Sequence, residues 1–244
     1  MNKKVAIITG ARRGLGRTTA IEFAKLGYDI VINDKEEEEK LNELEKIIKQ
    51  NYNVDCISIY SDISKEENVL KLRDIVINKF NRIDVLINNA AIVCDMPISD
   101  RKTELFNNTI INNVTSTYLM SKYIGKYMYE CKSGKIINIS STNGINTFFP
   151  TSIDYDASKA GIISLTHNFA IEFSPYVLVN SVAPGWINTE MNKQLPDDLV
   201  KEETDKIYLK RFAEPEEVAN LIIFLASDKN TYINGETIKI DGGY

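Results

Sequence analysis

The chain has 244 residues, enough for one α/β domain with a sizeable core, and its net charge of −5 with no basic block argues against a nucleic-acid partner. Hydrophobic residues make up 43% and charged residues 26%, the balance of an ordinary soluble globular protein, and no apolar run reaches the ~18 residues that a membrane span requires. Three widely spaced cysteines (Cys56, Cys94, Cys131) and one histidine (His167) offer no zinc site and no disulfide framework, so the expectation is a metal-free protein of a reducing, cytoplasmic setting.

Along the chain, VAIIT (Val5 to Thr9) is a short apolar run followed by glycine and arginines, which reads as a first strand and not as a signal peptide. Arg17 to Leu26 has helical periodicity, and Gly27 is placed to stop it. YDIVIND (Tyr28 to Asp34) is a second strand. Lys35 to Gln50 is a charged helix with Leu41, Leu44, Ile47 and Ile48 as its inner stripe; its glutamate run suits a helix start, where negative charge meets the dipole. CISIYSD, from Cys56, is a third strand, followed by a helix to Phe80. Ile83 to Ala90 is a fourth strand, Thr103 to Tyr129 a long helix, and GKIINISS (Gly134 to Ser141) a fifth strand. The helix bearing Tyr155 follows, then VLVNSVAPG (Val177 to Gly185), the helix PEEVANLIIFLAS (Pro215 to Ser227) and the strand GETIKIDGG (Gly235 to Gly243). Near-continuous apolar strands joined by helical crossovers predict an α/β fold, a doubly wound parallel sheet covered on both faces. With no linker and no repeat, residues 1–244 read as one domain.

TGARRGLG (Thr9 to Gly16) lies between the first strand and the first helix. Gly10, Gly14 and Gly16 have the TGxxxGxG spacing, which differs from GxGxxG, and they let a backbone approach a pyrophosphate whose charge meets the helix N-terminus. Asp34 ends the second strand, where a carboxylate accepts hydrogen bonds from a ribose diol and repels a 2′-phosphate. That favours NAD; Arg12, Arg13 and Lys35 nearby are able to pair with a phosphate and leave NADP open. Tyr155 and Lys159 stand one helical turn apart on one face, and a phenol beside an ammonium makes a proton donor whose pKa falls toward neutrality. Alone, that spacing also fits two surface residues.

In chain order stand TGARRGLG, SDIS around Asp62, INNAA (Ile87 to Ala91), Asn113, ISS (Ile139 to Ser141), YDASK (Tyr155 to Lys159) and PGWINT (Pro184 to Thr189). This ordered set, spanning the chain from about residue 4 onward, resembles the short-chain dehydrogenase/reductase family. The resemblance implies a Rossmann-type sheet of about seven parallel strands and a nicotinamide cofactor. It also implies a catalytic set of Asn113, Ser141, Tyr155 and Lys159. Tyr155 would be the proton donor and acceptor. Lys159 would hold the nicotinamide ribose and lower the tyrosine pKa. Ser141 would hydrogen-bond the substrate oxygen, and Asn113 would interrupt the long helix and link Lys159 to water. For the cofactor, the resemblance marks Gly10, Arg12, Arg13, Gly14, Leu15 and Gly16, then Asp34, Lys35, Asp62 and Ile63. Asn89, Ala90 and Ala91 would lie along it, and Pro184 and Gly185 would lead to Ile187 and Thr189 at the carboxamide.

Three departures stand out. Ala91 replaces the family's glycine after NNA, which a backbone with negative φ tolerates. The interval from Ser141 to Tyr155 is one residue longer than usual, which leaves Ser140 or Thr142 as other hydroxyl candidates. The EFSPYVLVN segment looks shortened. The expected substrate pocket, reached by Ser141 and Tyr155, is mainly apolar, lined by Asn143, Ile145, Phe148, Phe149, Trp186 and Met191. The polar segment from Asn188 to Arg211 reads as a substrate lid.

The resemblance implies an oxidoreductase that interconverts a secondary alcohol and a ketone. The alternative is an NADPH-dependent 3-oxoacyl-[acyl-carrier-protein] reductase, and a non-catalytic nucleotide-binding sensor or scaffold is the remote one. It further implies a homotetramer packed through the long helices, with His167 at an interface.

Overall fold

The apolar runs fold as the strands of one sheet. The structure, a computed structural model, describes residues 3–190, 192 and 195–244. Strands β1 (Val5–Thr9), β2 (Asp29–Asp34), β3 (Cys56–Tyr60), β4 (Val85–Asn88), β5 (Gly134–Ile139), β6 (Val177–Pro184) and β7 (Thr237–Ile240) lie in the order β3-β2-β1-β4-β5-β6-β7. All neighbouring pairs are parallel, as expected for a Rossmann-type sheet. Parallel pairing requires crossovers. Helices α1 (Gly14–Lys25), α2 (Glu38–Asn51), α3 (Glu66–Phe80), α4 (Thr103–Ile110), α5 (Ser116–Glu130), α6 (Ile153–Glu172) and α8 (Pro215–Ala226) stand between the strands, with α7 (Asp197–Lys206) beside the site.

Successive residues of β1 feed opposite layers. Ala6 and Ile8 join an apolar cluster with Leu15, Phe23 and Ile222, while Val5 and Ile7 join another with Leu72, Met120 and Phe169. Burial on both faces is why these strands read as continuous apolar runs. A buried polar chain also crosses the sheet. Asn88 Nδ2 donates to Ser121 Oγ (2.9 Å) and to Asn138 Oδ1 (2.8 Å), and Asn138 Nδ2 donates to Thr166 Oγ1 (2.9 Å). It ties β4 and β5 to α5 and α6.

Several boundaries differ from those read in the sequence. Helix α2 starts at Glu38 and not at Lys35. The Asp34 carboxylate accepts the backbone N–H groups of Lys35 and Glu36, and Glu37 is left-handed (φ 48°), so the chain turns before it coils. The long helix from Thr103 is two helices joined by a π-helical turn, Ile111–Thr115, which contains Asn113. Strands β4 and β7 are four residues each, shorter than predicted. Among the described residues no helix is long and apolar enough to cross a membrane.

The strand order reverses between β1 and β4. Loops leaving these strands diverge, and a crevice opens at their C-terminal ends. Most of the predicted site residues, among them Gly10, Asp34, Ser141, Tyr155 and Lys159, line it.

Candidate active site

The turn after β1 is built by glycines with different duties. Gly10 has φ +66°, and a Cβ there would lie 2.7 Å from Ala90 Cα. A Cβ on Gly16 would lie 2.3 Å from the Gly10 carbonyl oxygen. Gly14 has φ +56° and meets nothing nearer than Thr189 Cγ2 at 3.6 Å. Packing therefore requires glycine at 10 and 16, and backbone conformation requires it at 14. Asn89 clips the turn in place: its Nδ2 donates to Thr9 O (2.9 Å) and Gly10 O (3.0 Å). The N–H groups of Gly14, Leu15 and Gly16 open the first turn of α1, where a helix has no internal acceptors for them. All three residues line a cavity of about 630 Å³. A cradle closed to a Cβ at Gly10 and Gly16, with the first-turn N–H groups of α1 beside it, fits a pyrophosphate.

Asp34 closes the cavity at the end of β2 and is 5% exposed. Its carboxylate accepts backbone N–H groups from Arg12 (3.3 Å), Lys35 (2.9 Å) and Glu36 (3.2 Å). Arg12 lies over it, with ion pairs to Asp34 (2.8 Å), Glu36 (2.6 Å) and Glu37 (2.8 Å). Arg12 is thus neither solvated nor free for an anion. Lys35 Nζ donates to Asn112 Oδ1. Arg13, at the N-cap of α1, has no ion pair among the described residues. Asp62 follows β3. Burial pushes its carboxyl up, and the Ser64 hydroxyl and backbone N–H more than offset this, holding it below the usual range. Ile63, Ala90 and Ala91 line the same cavity. Ala91 is not among the residues with positive φ, so its extra methyl group causes no backbone strain.

At the other end, β5 delivers Ser140 and Ser141 in opposite directions. Ser140 Oγ donates to Val182 O (3.1 Å) and accepts from Ser181, so it belongs to the core. Ser141 caps a 3₁₀ turn (Thr142–Gly144), accepting from Asn143 N (3.2 Å), and hydrogen-bonds the Tyr155 phenol. Ser140, Ser141 and Thr142 all line the cavity, and Ser141 is the one of the three whose hydroxyl acts on the Tyr155 phenol. The longer interval before Tyr155 holds two 3₁₀ turns pinned to Asp156, which accepts from Asn143 Nδ2 (2.7 Å), Phe149 N (3.1 Å) and Ser152 Oγ (3.0 Å). A fully buried ion pair, Arg101–Asp154 (2.5 Å), fixes the start of α6.

Lys159 Nζ lies 5.3 Å from the centre of the Tyr155 ring, so the two share a face as expected. It donates to Ile139 O (2.8 Å). The expected pKa pattern is reversed in the protein alone. Burial lowers the Lys159 ammonium to about 7. Burial also raises the Tyr155 phenol to about 12, Ser141 working against it and the charges of Asp156 and Asp95 adding to it. A lysine without a buried counter-charge gives up its own proton more easily than it helps its neighbour. Asn113 sits in the π-helical turn between α4 and α5. Its side chain accepts from Ile92 N (2.8 Å) and donates to Ile92 O (2.9 Å) and Ser158 Oγ (2.9 Å), and its carbonyl accepts from Thr117 (2.8 Å), with no direct contact to Lys159.

Pro184, Gly185, Ile187 and Thr189 leave β6 along the cavity wall. Of the expected substrate residues, Asn143, Phe149 and Trp186 line it. Ile145 (41% exposed) and Phe148 (72%) do not; they face outward. Met191 lies outside the described residues. Trp186 stacks on Phe212 (5.4 Å between ring centres) and meets Phe149 edge-on (6.1 Å). Its Nε1 donates to Glu203 Oε2 (2.9 Å), which also accepts from Tyr244 Oη (2.6 Å). Tyr244 lines the cavity as well. Neither Glu203 nor Tyr244 was read as a site residue: a glutamate in DDLVKEETDK looks like the solvated face of a polar helix.

Residues 10–244 match the family described as enoyl-(acyl carrier protein) reductase. The chain is 36% identical over 244 residues to the 3-oxoacyl-[acyl-carrier-protein] reductase FabG of Staphylococcus epidermidis, covering 100% of this chain and 99% of that one. The chain belongs to the short-chain dehydrogenase/reductase family. As such it is an oxidoreductase that acts on a C–OH/C=O carbon with a nicotinamide cofactor. Among solved structures of the family, a short chain dehydrogenase from Bacillus anthracis superposes with a TM-score of 0.89 at 34% identity, covering 98% of this chain and 95% of that one. ElxO, solved with NADP bound, gives 0.90 at 34% identity and covers 100% and 99%.

Proposed function

We propose that this enzyme moves a hydride between a nicotinamide dinucleotide and the carbinol carbon of a small secondary alcohol, with Tyr155 as general acid and base. The convergence of Ser141, Tyr155 and Lys159 on the cavity that holds the glycine cradle carries this reading. When bound, the nicotinamide gives or accepts the hydride. The chain's own residues handle the proton. In reduction, Tyr155 Oη gives its proton to the carbonyl oxygen, which the Ser141 hydroxyl holds in position. In oxidation the same atoms run in reverse. Lys159, with a pKa of about 7, is poised to take up charge as a phenolate forms beside it. Asn113 acts through Ser158 and Ile92, shaping the floor of the site.

For the cofactor, Gly10, Leu15 and Gly16 would hold the pyrophosphate, Asp34, Asp62 and Ile63 the adenosine, and Ile187 and Thr189 the nicotinamide end. Three carboxylates on one Arg12 guanidinium leave excess negative charge where a 2′-phosphate would sit, which supports NAD. The second reading, an NADPH-dependent 3-oxoacyl-[acyl-carrier-protein] reductase, is favoured by the FabG relatives, by the NADP of ElxO and by the unpaired Arg13. Trp186, Asn143 and Phe149 would bound the substrate, with the segment from Asn188 to Arg211 as its lid. The exposed apolar residues Tyr118 on α5 and Ile171 on α6 support a homotetramer, and the free cysteines a cytoplasmic setting.

Tyr155→Phe is expected to lower kcat by about 10³ while the Kd for reduced cofactor stays within about twofold. Full activity in that variant overturns the assignment. Titrating the protein with NADH and NADPH by nicotinamide fluorescence decides the cofactor: tighter NADPH makes the oxoacyl reductase the leading reading.

A further inference from the structure

Glu203 is a carboxylate in the wrong company for its helix. Helix α7 is polar, yet Glu203 is 1% exposed. Both of its oxygens are engaged. Oε2 accepts the Trp186 indole N–H (2.9 Å) and the Tyr244 hydroxyl (2.6 Å), and Oε1 accepts Lys206 Nζ (2.7 Å). Burial pushes its carboxyl up, but these three donors outweigh that and hold it below the usual range. Each donor comes from a different part of the chain: the loop after β6, the stretch after β7, and α7 itself. The neighbouring backbone is stitched in the same sense, with Leu209 N donating to Gly242 O (3.1 Å) and Tyr208 N to Gly243 O.

Two of the three donors, Trp186 and Tyr244, are walls of the substrate end of the cavity, and neither has another hydrogen bond of its own side chain among the described residues. Both rings are half-buried, and an indole N–H or phenol shielded from water still costs free energy without an acceptor, so both rings follow the carboxylate. The stack of Trp186 on Phe212 sets the plane of the indole, and Glu203 sets its rotation within that plane.

We propose that Glu203 is the positioning residue of the substrate pocket: it locks Trp186 and Tyr244 as one wall and fastens α7 over it, so that a single buried carboxylate sets how large a substrate fits. This rests on the oxidoreductase reading for its kinetic consequence, though not for its structural one. The prediction is a pocket that widens when Glu203 is lost.

The chain contains one tryptophan, so intrinsic fluorescence reports on Trp186 without any substrate. Glu203→Leu is expected to shift the emission to the red and to raise acrylamide quenching at least about twofold, the indole having lost its acceptor. With ethyl acetoacetate and its longer-chain homologues as probes, KM for the shortest ester should rise about tenfold while kcat stays within about twofold, and the chain-length preference should shift toward the longer homologues. Glu203→Gln keeps an acceptor oxygen and should restore most of both signals. NADH affinity should stay within about twofold in each variant. A folded Glu203→Leu with unchanged emission, quenching and chain-length preference overturns the proposal. If Glu203→Leu does not fold, Tyr244→Phe takes its place; unchanged chain-length preference there is equally fatal. Turnover surviving in Tyr155→Phe would instead overturn the oxidoreductase roles, and the fluorescence result would stand apart from it.

Discussion

The two ends of the cavity are built on different principles. At the cofactor end, the glycine turn, Asp34 and Asn89 lie within a few residues of strand ends, and backbone geometry dictates most of them. At the substrate end, Trp186, Glu203, Phe212 and Tyr244 come from four separate segments; backbone hydrogen bonds such as Ala213 N to Trp186 O join some of these segments, but side-chain contacts set the groups that face one another. A backbone-built site admits few residue types, whereas a side-chain-built site admits many and is tuned by small changes.

Gly16→Ala should give the largest effect at the cofactor end. Its Cβ would lie 2.3 Å from a backbone oxygen that no rotamer can move, so a loss of about 2–4 kcal/mol in chemical denaturation and at least about a hundredfold in cofactor affinity is expected. Normal binding by this variant would break the contrast. Lys159→Met comes next. Because the buried ammonium has its pKa lowered from 10.5 to about 7, the unfolded chain binds more protons between those values, and wild-type stability rises with pH across that window. The methionine variant should lose that rise and be more stable than wild type at pH 6 by about 2–3 kcal/mol, checked by urea melts at pH 6, 8 and 10. Parallel stability curves for the two proteins would show that Lys159 is not buried as described.

Asp34→Ser should move the NADPH/NADH preference about tenfold toward NADPH, since it removes one repelling carboxylate and loosens Arg12. No change in the ratio of the two Kd values would mean that Glu36 and Glu37 decide the field instead. Gly14→Ala should be mildest, about 1 kcal/mol, because only the positive φ opposes a side chain there. A loss as large as that of Gly16→Ala would erase the distinction between packing and conformation within one turn.

The sheet, and the meeting of Ser141, Tyr155 and Lys159 on one cavity, were legible because their signals are local. Apolar runs, glycine spacing and a Tyr-to-Lys interval of one helical turn each need only a short window of sequence. The lowered pKa of Lys159 was not, since it comes from burial by elements far away in the chain. The start of α2 was missed for a different reason: Asp34 captures the backbone N–H groups that a helix would otherwise use. Phe148 and Ile145 look like pocket residues in a one-dimensional view, yet the turns pinned by Asp156 present Phe149 and Asn143 to the cavity instead. Glu203 gave no signal at all, because a buried acceptor and a solvated glutamate are written with the same letter.

The polar chain Asn88–Asn138–Thr166 joins β4 and β5 to α6, the helix that carries Tyr155. An oily interface between helix and sheet can slide by a fraction of a turn and still be greasy on both sides; amides and a hydroxyl that meet at under 3 Å tolerate no such slip. The chain therefore works as an index pin between α6 and the sheet. Apolar neighbours are free to exchange methyl groups around it, while the depth at which Tyr155 stands above the ends of the strands stays put.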